Sequence, residues 1–115
     1  MEENGIKTAQ AWNNYGRTFL KFRKYEDALN AFDEALKLDP SYIEAWKNKA
    51  YTLDLLNRPE DVLKAYDEAL KIKPDDATVW RDKGDILKEL RRYDDALKAY
   101  NEVLRIDQTL HQHGA

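Results

Sequence analysis

An all-α protein, built as three stacked helix-turn-helix repeats, is what the sequence predicts. Trp12, Trp46 and Trp80 are each 34 residues apart, and a fixed period in this range marks a stacked repeat and not one irregular domain. Small residues keep the same register at Gly16, Ala50 and Gly84. Each unit also holds two stretches in which apolar residues recur every three or four positions, the spacing of a helix face.

The period divides the chain into an N-terminal extension or partial cap (1–8), three repeats (9–42, 43–76 and 77–110) and a C-terminal tail (111–115). The first helix is expected over Ala9–Phe22, with Trp12, Tyr15, Gly16, Phe19 and Phe22 on its inner face. The second spans Tyr25–Leu38, with Ala28, Phe32, Ala35 and Leu36 inward. Ile43–Leu56 and Pro59–Ile72 form the second unit, Ala77–Leu90 and Tyr93–Ile106 the third.

Charges and prolines mark the ends. Arg23-Lys24, Arg58 and Arg91-Arg92 close the first helices, while Glu26-Asp27, Glu60-Asp61 and Asp94-Asp95 open the second ones. Both placements complement the helix dipole. Ser41-Tyr42-Ile43-Glu44 reads as a capping box. Pro40 and Pro74 stop helices, and Pro59 sits where a first turn tolerates proline. Gln108 stands where the earlier units have proline, so the last helix is expected to run on towards Leu110 and His111. The mid-helix glycines Gly16 and Gly84 should each cost about 1 kcal/mol against alanine. Close packing on Ala28 and Ala96 is the expected offset.

Composition narrows the function classes. Without cysteine, a disulfide framework and a thiolate metal site are both excluded. No apolar run reaches the length of a membrane span and the N-terminus does not read as a signal peptide, so a cytoplasmic protein without membrane contact is expected. Charged residues make up 36% of the chain, yet the net charge is −3 with both signs interspersed. That argues against nucleic acid as a partner, which calls for a basic stripe. Pairs such as Asp33/Lys37, Asp67/Lys71 and Asp94/Lys98 read as surface i,i+4 pairs and not as a paired acid and base.

Trp12…Tyr15-Gly16…Phe19…Ala28…Phe32…Ala35…Pro40 resembles a tetratricopeptide repeat. Trp80…Gly84…Leu87…Tyr93…Ala96…Tyr100…Val103 matches as well; Trp46, Ala50, Leu53, Val62, Tyr66, Ala69 and Pro74 form a looser middle unit. The resemblance implies a right-handed superhelix, an α-solenoid, with the first helix of each pair lining a concave groove. It implies a scaffold for protein partners and no enzyme. Proline 59 departs from Tyr25 and Tyr93, and Lys49 and Lys83 take the place of Tyr15. Their stems are expected over apolar surface with the ammonium groups in water.

Carried over onto this chain, the pattern puts Asn13, Asn14, Arg17, Lys21, Lys47, Asn48, Tyr51, Arg81, Asp82 and Asp85 in the peptide-binding groove. Carboxamides both donate and accept, so the asparagines suit a peptide backbone. Arg17, Lys47 and Arg81 suit carboxylates, and Tyr51 is an amphipathic anchor. The expected ligand is acidic near the first unit and basic near the third. In co-chaperones of the family two lysines, an arginine and two asparagines clamp a chaperone's terminal carboxylate. Those places here are Asn13, Arg17, Asn48, Thr78 and Asp82, and only Asn48 matches.

A second expectation is self-association, with a homo-dimer as the simplest form. Leu97, Tyr100 and Leu104 keep the last helix apolar where a polar cap is needed. No cofactor is expected. The glycines are isolated, Ser41 is the only serine and has no histidine near it, and His111 and His113 point to different helix faces. The tryptophans are read as core anchors within their own units.

Overall fold

The computed structural model describes residues 8–114, with side chains through Thr109. Its helices are α1 (Ala9–Lys21), α2 (Tyr25–Leu38), α3 (Ile43–Leu55), α4 (Pro59–Ile72), α5 (Ala77–Glu89) and α6 (Tyr93–Gly114). No strand occurs among the described residues. Antiparallel pairs α1/α2, α3/α4 and α5/α6 stack into a slab measuring 49 × 35 × 21 Å. The shortest dimension is that of two helix layers. As the absence of a proline at Gln108 led one to expect, α6 continues through residues 107–114. Residues 1–7, which carry most of the proposed N-terminal cap, lie outside the described residues.

Each first helix ends in the same way. Arg23, Asn57 and Arg91 adopt left-handed backbone, with φ of 60°, 59° and 62°. The following amides of Lys24, Arg58 and Arg92 donate back to Phe19, Leu53 and Leu87 carbonyls at 2.8–2.9 Å. This is a Schellman turn, whose left-handed site favours glycine. Arg23→Gly and Arg91→Gly should therefore each stabilise the fold by about 1 kcal/mol, more than Asn57→Gly. A thermal melt reads the gain as a rise of several degrees; a fall in either variant would contradict the account.

Several local expectations need correction. Ser41 caps nothing: Tyr42 is the N-cap of α3 and forms no side-chain cap bond. Instead Asp39 Oδ1 accepts from the Ser41 amide at 3.0 Å, which tightens the turn one residue earlier. Gly16 and Gly84 are opposed by rings one turn beyond the expected alanines. A Cβ on Gly16 would collide with the Phe32 ring, and one on Gly84 would lie 2.6 Å from Tyr100 Cε1. Tyr15 and Phe22 are exposed. They lie on the edge of α1 that in α3 and α5 packs against a preceding second helix, and the described residues supply none there.

The tryptophans also do more than anchor their own pairs. The indole N–H groups of Trp46 and Trp80 donate to the Pro40 and Pro74 carbonyls at 2.8 and 2.7 Å, tying each first helix to the turn that precedes it. Trp46 packs against both apolar clusters of the core. Lys49 and Lys83 place their ammonium groups 5.3 and 5.2 Å from the Trp46 and Trp80 ring centroids. There they meet Asp33 and Asp67 at 2.8 and 2.7 Å, across the repeat junctions. These lysines are thus paired and not free in water. Lys37 and Lys71 turn to Glu34 and Glu68, both at 3.0 Å, and no Asp94–Lys98 pair forms among the described residues. A carboxylate beside a partly desolvated ammonium on an aromatic face interacts more strongly than on an open helix surface.

Candidate protein-binding groove

The first helices α1, α3 and α5 bring equivalent positions, 34 residues apart, to one face. On α1, Arg17 and Lys21 are exposed and form no ion pair among the described residues. Asn14 is exposed beside them. Asn13 is buried, and its Oδ1 accepts from Asn48 Nδ2 at 3.0 Å. Two of the three amides expected to hold a peptide backbone thus spend one bond on each other, fixing α1 against α3.

Lys47 is also committed. Its ammonium lies 2.7 Å from Asp76 Oδ2. Asp76 is only 7% exposed and caps α5 by accepting from the Val79 amide at 3.3 Å. Burial pushes the Asp76 pKa up, but the bond from Lys47, its charge and the Val79 amide outweigh this and hold it below the usual carboxylate range. Asp76 escaped the sequence reading, although an aspartate just before a helix is a capping signal.

The remaining positions expected in the groove form two neighbourhoods. At one end Tyr51, 55% exposed, and Leu55 join Leu20, Lys21, Arg23 and Tyr25 around a depression of about 540 Å³. Further along come carboxylates. Asp82 lies 3.8 Å from the Arg81 guanidinium, beyond hydrogen-bond reach. Burial, together with Asp85 and Asp76, raises its pKa against the pull of Arg81 and Lys47. Asp85 accepts a 2.6 Å bond from the Tyr100 hydroxyl. That bond, then burial and the Asp85 charge, push Tyr100 up to about 12. Tyr66 is a core residue of α4. Burial first, then the charges of Asp82, Asp54 and Asp85, raise its pKa.

Among the described residues, no three His, Asp or Glu side chains converge as a metal site. The side chains of His111 and His113 lie outside them. No helix there is long and apolar enough to cross a membrane.

The tetratricopeptide repeat family model matches residues 13–77 and again 56–110. The chain belongs to the tetratricopeptide repeat family. No curated protein matches it in sequence. Among solved structures, one of MamA superposes with a TM-score of 0.89 at 19% identity, covering 93% of this chain and 63% of MamA. A second MamA structure gives 0.89 at 18% identity, covering 96% and 60%. The chain thus spans less than two thirds of those proteins. The second repeat domain of Spaghetti (RPAP3), bound to an HSP90 peptide of sequence SRMEEVD, superposes at 0.79 with 19% identity, covering 91% and 96%. The tetratricopeptide solenoid is therefore the fold, with its right-handed stacking of helix pairs.

Proposed function

We propose that this tetratricopeptide chain is a protein-interaction scaffold that holds an extended peptide or a partner helix in the groove of α1, α3 and α5. The observation that carries this is the depression at Tyr51 and Leu55, an apolar anchor point left open on a face otherwise polar. Lys21 lines it and Arg17 stands one turn earlier on α1, both without an ion pair among the described residues, while Asp54 belongs to α3 and Asp82 and Asp85 to α5. A ligand acidic at the α1 end and basic at the α5 end fits this order. The Spaghetti domain bound to its HSP90 peptide supports a peptide as occupant. A terminal carboxylate held at the α5 side does not fit, because Asp82 would repel it.

Arg17→Glu with Lys21→Glu should weaken capture of acidic peptides about 100-fold while helicity is unchanged; each charge-assisted contact contributes about 1.5–3 kcal/mol. Fluorescence anisotropy on an array of acidic and basic peptides measures this. Lys47 is a poor choice for such a test, since its loss would leave Asp76 unpaired. Unaltered capture by the double variant would remove the α1 cations from the site.

A second reading, association of copies through α6, is favoured by one comparison. Leu29 and Leu63, at equivalent positions, are each 8% exposed, and so are Leu36 and Leu70. Their counterparts Leu97 and Leu104 are each 59% exposed. Tyr100, expected on the same surface, turns instead towards Asp85. The α1 edge of a second copy would place Tyr15 against Asn101, where the interior junctions place Lys49 on Asp33 and Lys83 on Asp67. Neither member of that pair carries a charge, so docking strands none. Leu97→Glu with Leu104→Glu should convert any assembly to monomer in sedimentation velocity; association that persists would end this reading.

A further inference from the structure

The two outer faces of the helix array are the two halves of one interior junction. Inside the array a second helix, α2 or α4, packs against the first helix of the next repeat, α3 or α5. Among the described residues α6 has no such first helix against it, and α1 no such second helix. Leu97 and Leu104 therefore stay exposed on α6. On α1, Tyr15 and Phe22 are exposed, whereas Leu56 and Leu90, the counterparts of Phe22, pack into the core. Tyr15, Thr18, Phe19, Phe22 and Lys24 surround a depression of about 350 Å³ there. The matching side of α5 is the one that meets α4: Lys83 and Leu87 line a cavity with Leu63 and Asp67. Leu97 is the counterpart of Leu63, and Phe19 that of Leu87.

The polar groups of the two faces match in the same register. Across the interior junctions Asp33 meets Lys49, Asp67 meets Lys83, and Glu60 meets Arg92. The first junction holds the charges of the last pair too, as Glu26 and Arg58, although Arg58 turns to Asp61. On α6 the counterparts are Asn101 for Asp67 and Asp94 for Glu60. On the α1 side they are Tyr15 for Lys83 and Lys24 for Arg92. One charged pair gives way to an uncharged pair on both faces at once, and the other pair keeps both its signs. Asp94 and Lys24 are exposed and form no ion pair among the described residues. Two faces that served only solvent would need no such match.

We propose that copies of this chain stack head to tail, the α6 face of one on the α1 face of the next, in the register of the interior junctions. This rests on association through α6 and adds the mating face, the register and the symmetry. Leu97 enters the depression beside Phe19 and Phe22, Asn101 lies on Tyr15, and Asp94 meets Lys24. Two different surfaces meet, so each added copy leaves one α1 face and one α6 face open, and no two-fold axis closes the assembly. Each step repeats the one inside the chain, so the solenoid simply continues. The groove of α1, α3 and α5 then runs on from copy to copy and offers an extended partner more length than one chain has.

Sedimentation velocity on the whole chain should show a mass that climbs past the dimer as concentration rises. Tyr15→Glu with Phe22→Glu blocks one face, and Leu97→Glu with Leu104→Glu blocks the other. All four side chains are exposed, so the helix array survives the changes, which circular dichroism checks. Each double variant alone should be monomeric. An equimolar mixture of the two should form a complex of two chains and no more, through the one intact α1 face and the one intact α6 face. In that mixture Lys24→Glu on the chain with the intact α1 face should weaken pairing about fivefold, and Asp94→Lys on the other chain should restore it. A closed dimer abolished by the α6 variant alone would overturn head-to-tail stacking while sustaining association through α6. Variants that stay apart on mixing, although the wild type associates, would overturn the mating of these faces. A monomer at every concentration would overturn both the stacking and the association.

Discussion

Asp76→Ala is expected to cost about 3 kcal/mol of folding stability. Two contributions combine. Alanine removes the cap on the Val79 amide at the start of α5, and it leaves the half-buried Lys47 ammonium without its carboxylate. Asp76→Asn keeps a capping oxygen and loses the charge, so its stability should fall between wild type and alanine. The pH dependence follows from linkage. The folded-state pKa of Asp76 is depressed, so its contribution is fully present above the unfolded-state value. It is lost as pH falls through the folded-state value. Urea denaturation at neutral pH should show the full gap, and below about pH 4 the gap should narrow. A gap that stays constant down to pH 2 would mean that the carboxylate charge contributes nothing.

Phe32→Ala should cost about 4 kcal/mol, near the upper range for deleting a buried ring. The side chain is fully buried, and its ring lies against the bare backbone of Gly16. Alanine would open a void that a glycine cannot fill. The corresponding Tyr100→Ala, at a half-buried site, should cost about 2 kcal/mol. A double-mutant cycle sharpens the test. Gly16→Ala should destabilise the wild type, because its methyl would collide with the ring. On the Phe32→Ala background it should instead stabilise, by filling space and favouring helix. The same sign on both backgrounds would show that ring and glycine do not interact.

Helix positions were highly legible in the sequence because they depend on local periodicity. The bounds Tyr25–Leu38 and Pro59–Ile72 agree with the observed helices, and the first helices of each pair end one residue before the expected positions. Register was legible as well, since a repeat must present the same face each time it stacks. Turn chemistry was less so. Arg23 and Arg91 carry left-handed backbone although nothing in their residue type signals it. The exposure of Tyr15 was missed too: it follows the inward pattern, but inwardness needs a neighbouring helix, and the described residues supply none there.

The groove divides along the same line. Exposed positions such as Arg17, Lys21 and Tyr51 could be named from register alone. Whether a polar side chain is free could not, because its partner comes from another repeat. Asn48 is engaged by Asn13, 35 residues away, and Lys47 by Asp76. Tyr66 shows the reverse: it is a core position by pattern, and only packing reveals that its hydroxyl is not sealed from solvent. The sequence by itself determined a three-repeat helical array and which positions of successive repeats share a face, since both follow from a period written into the chain. Only the tertiary structure decided which of those charges are already spent, because pairing energies depend on distances and burial across helices that no local pattern encodes.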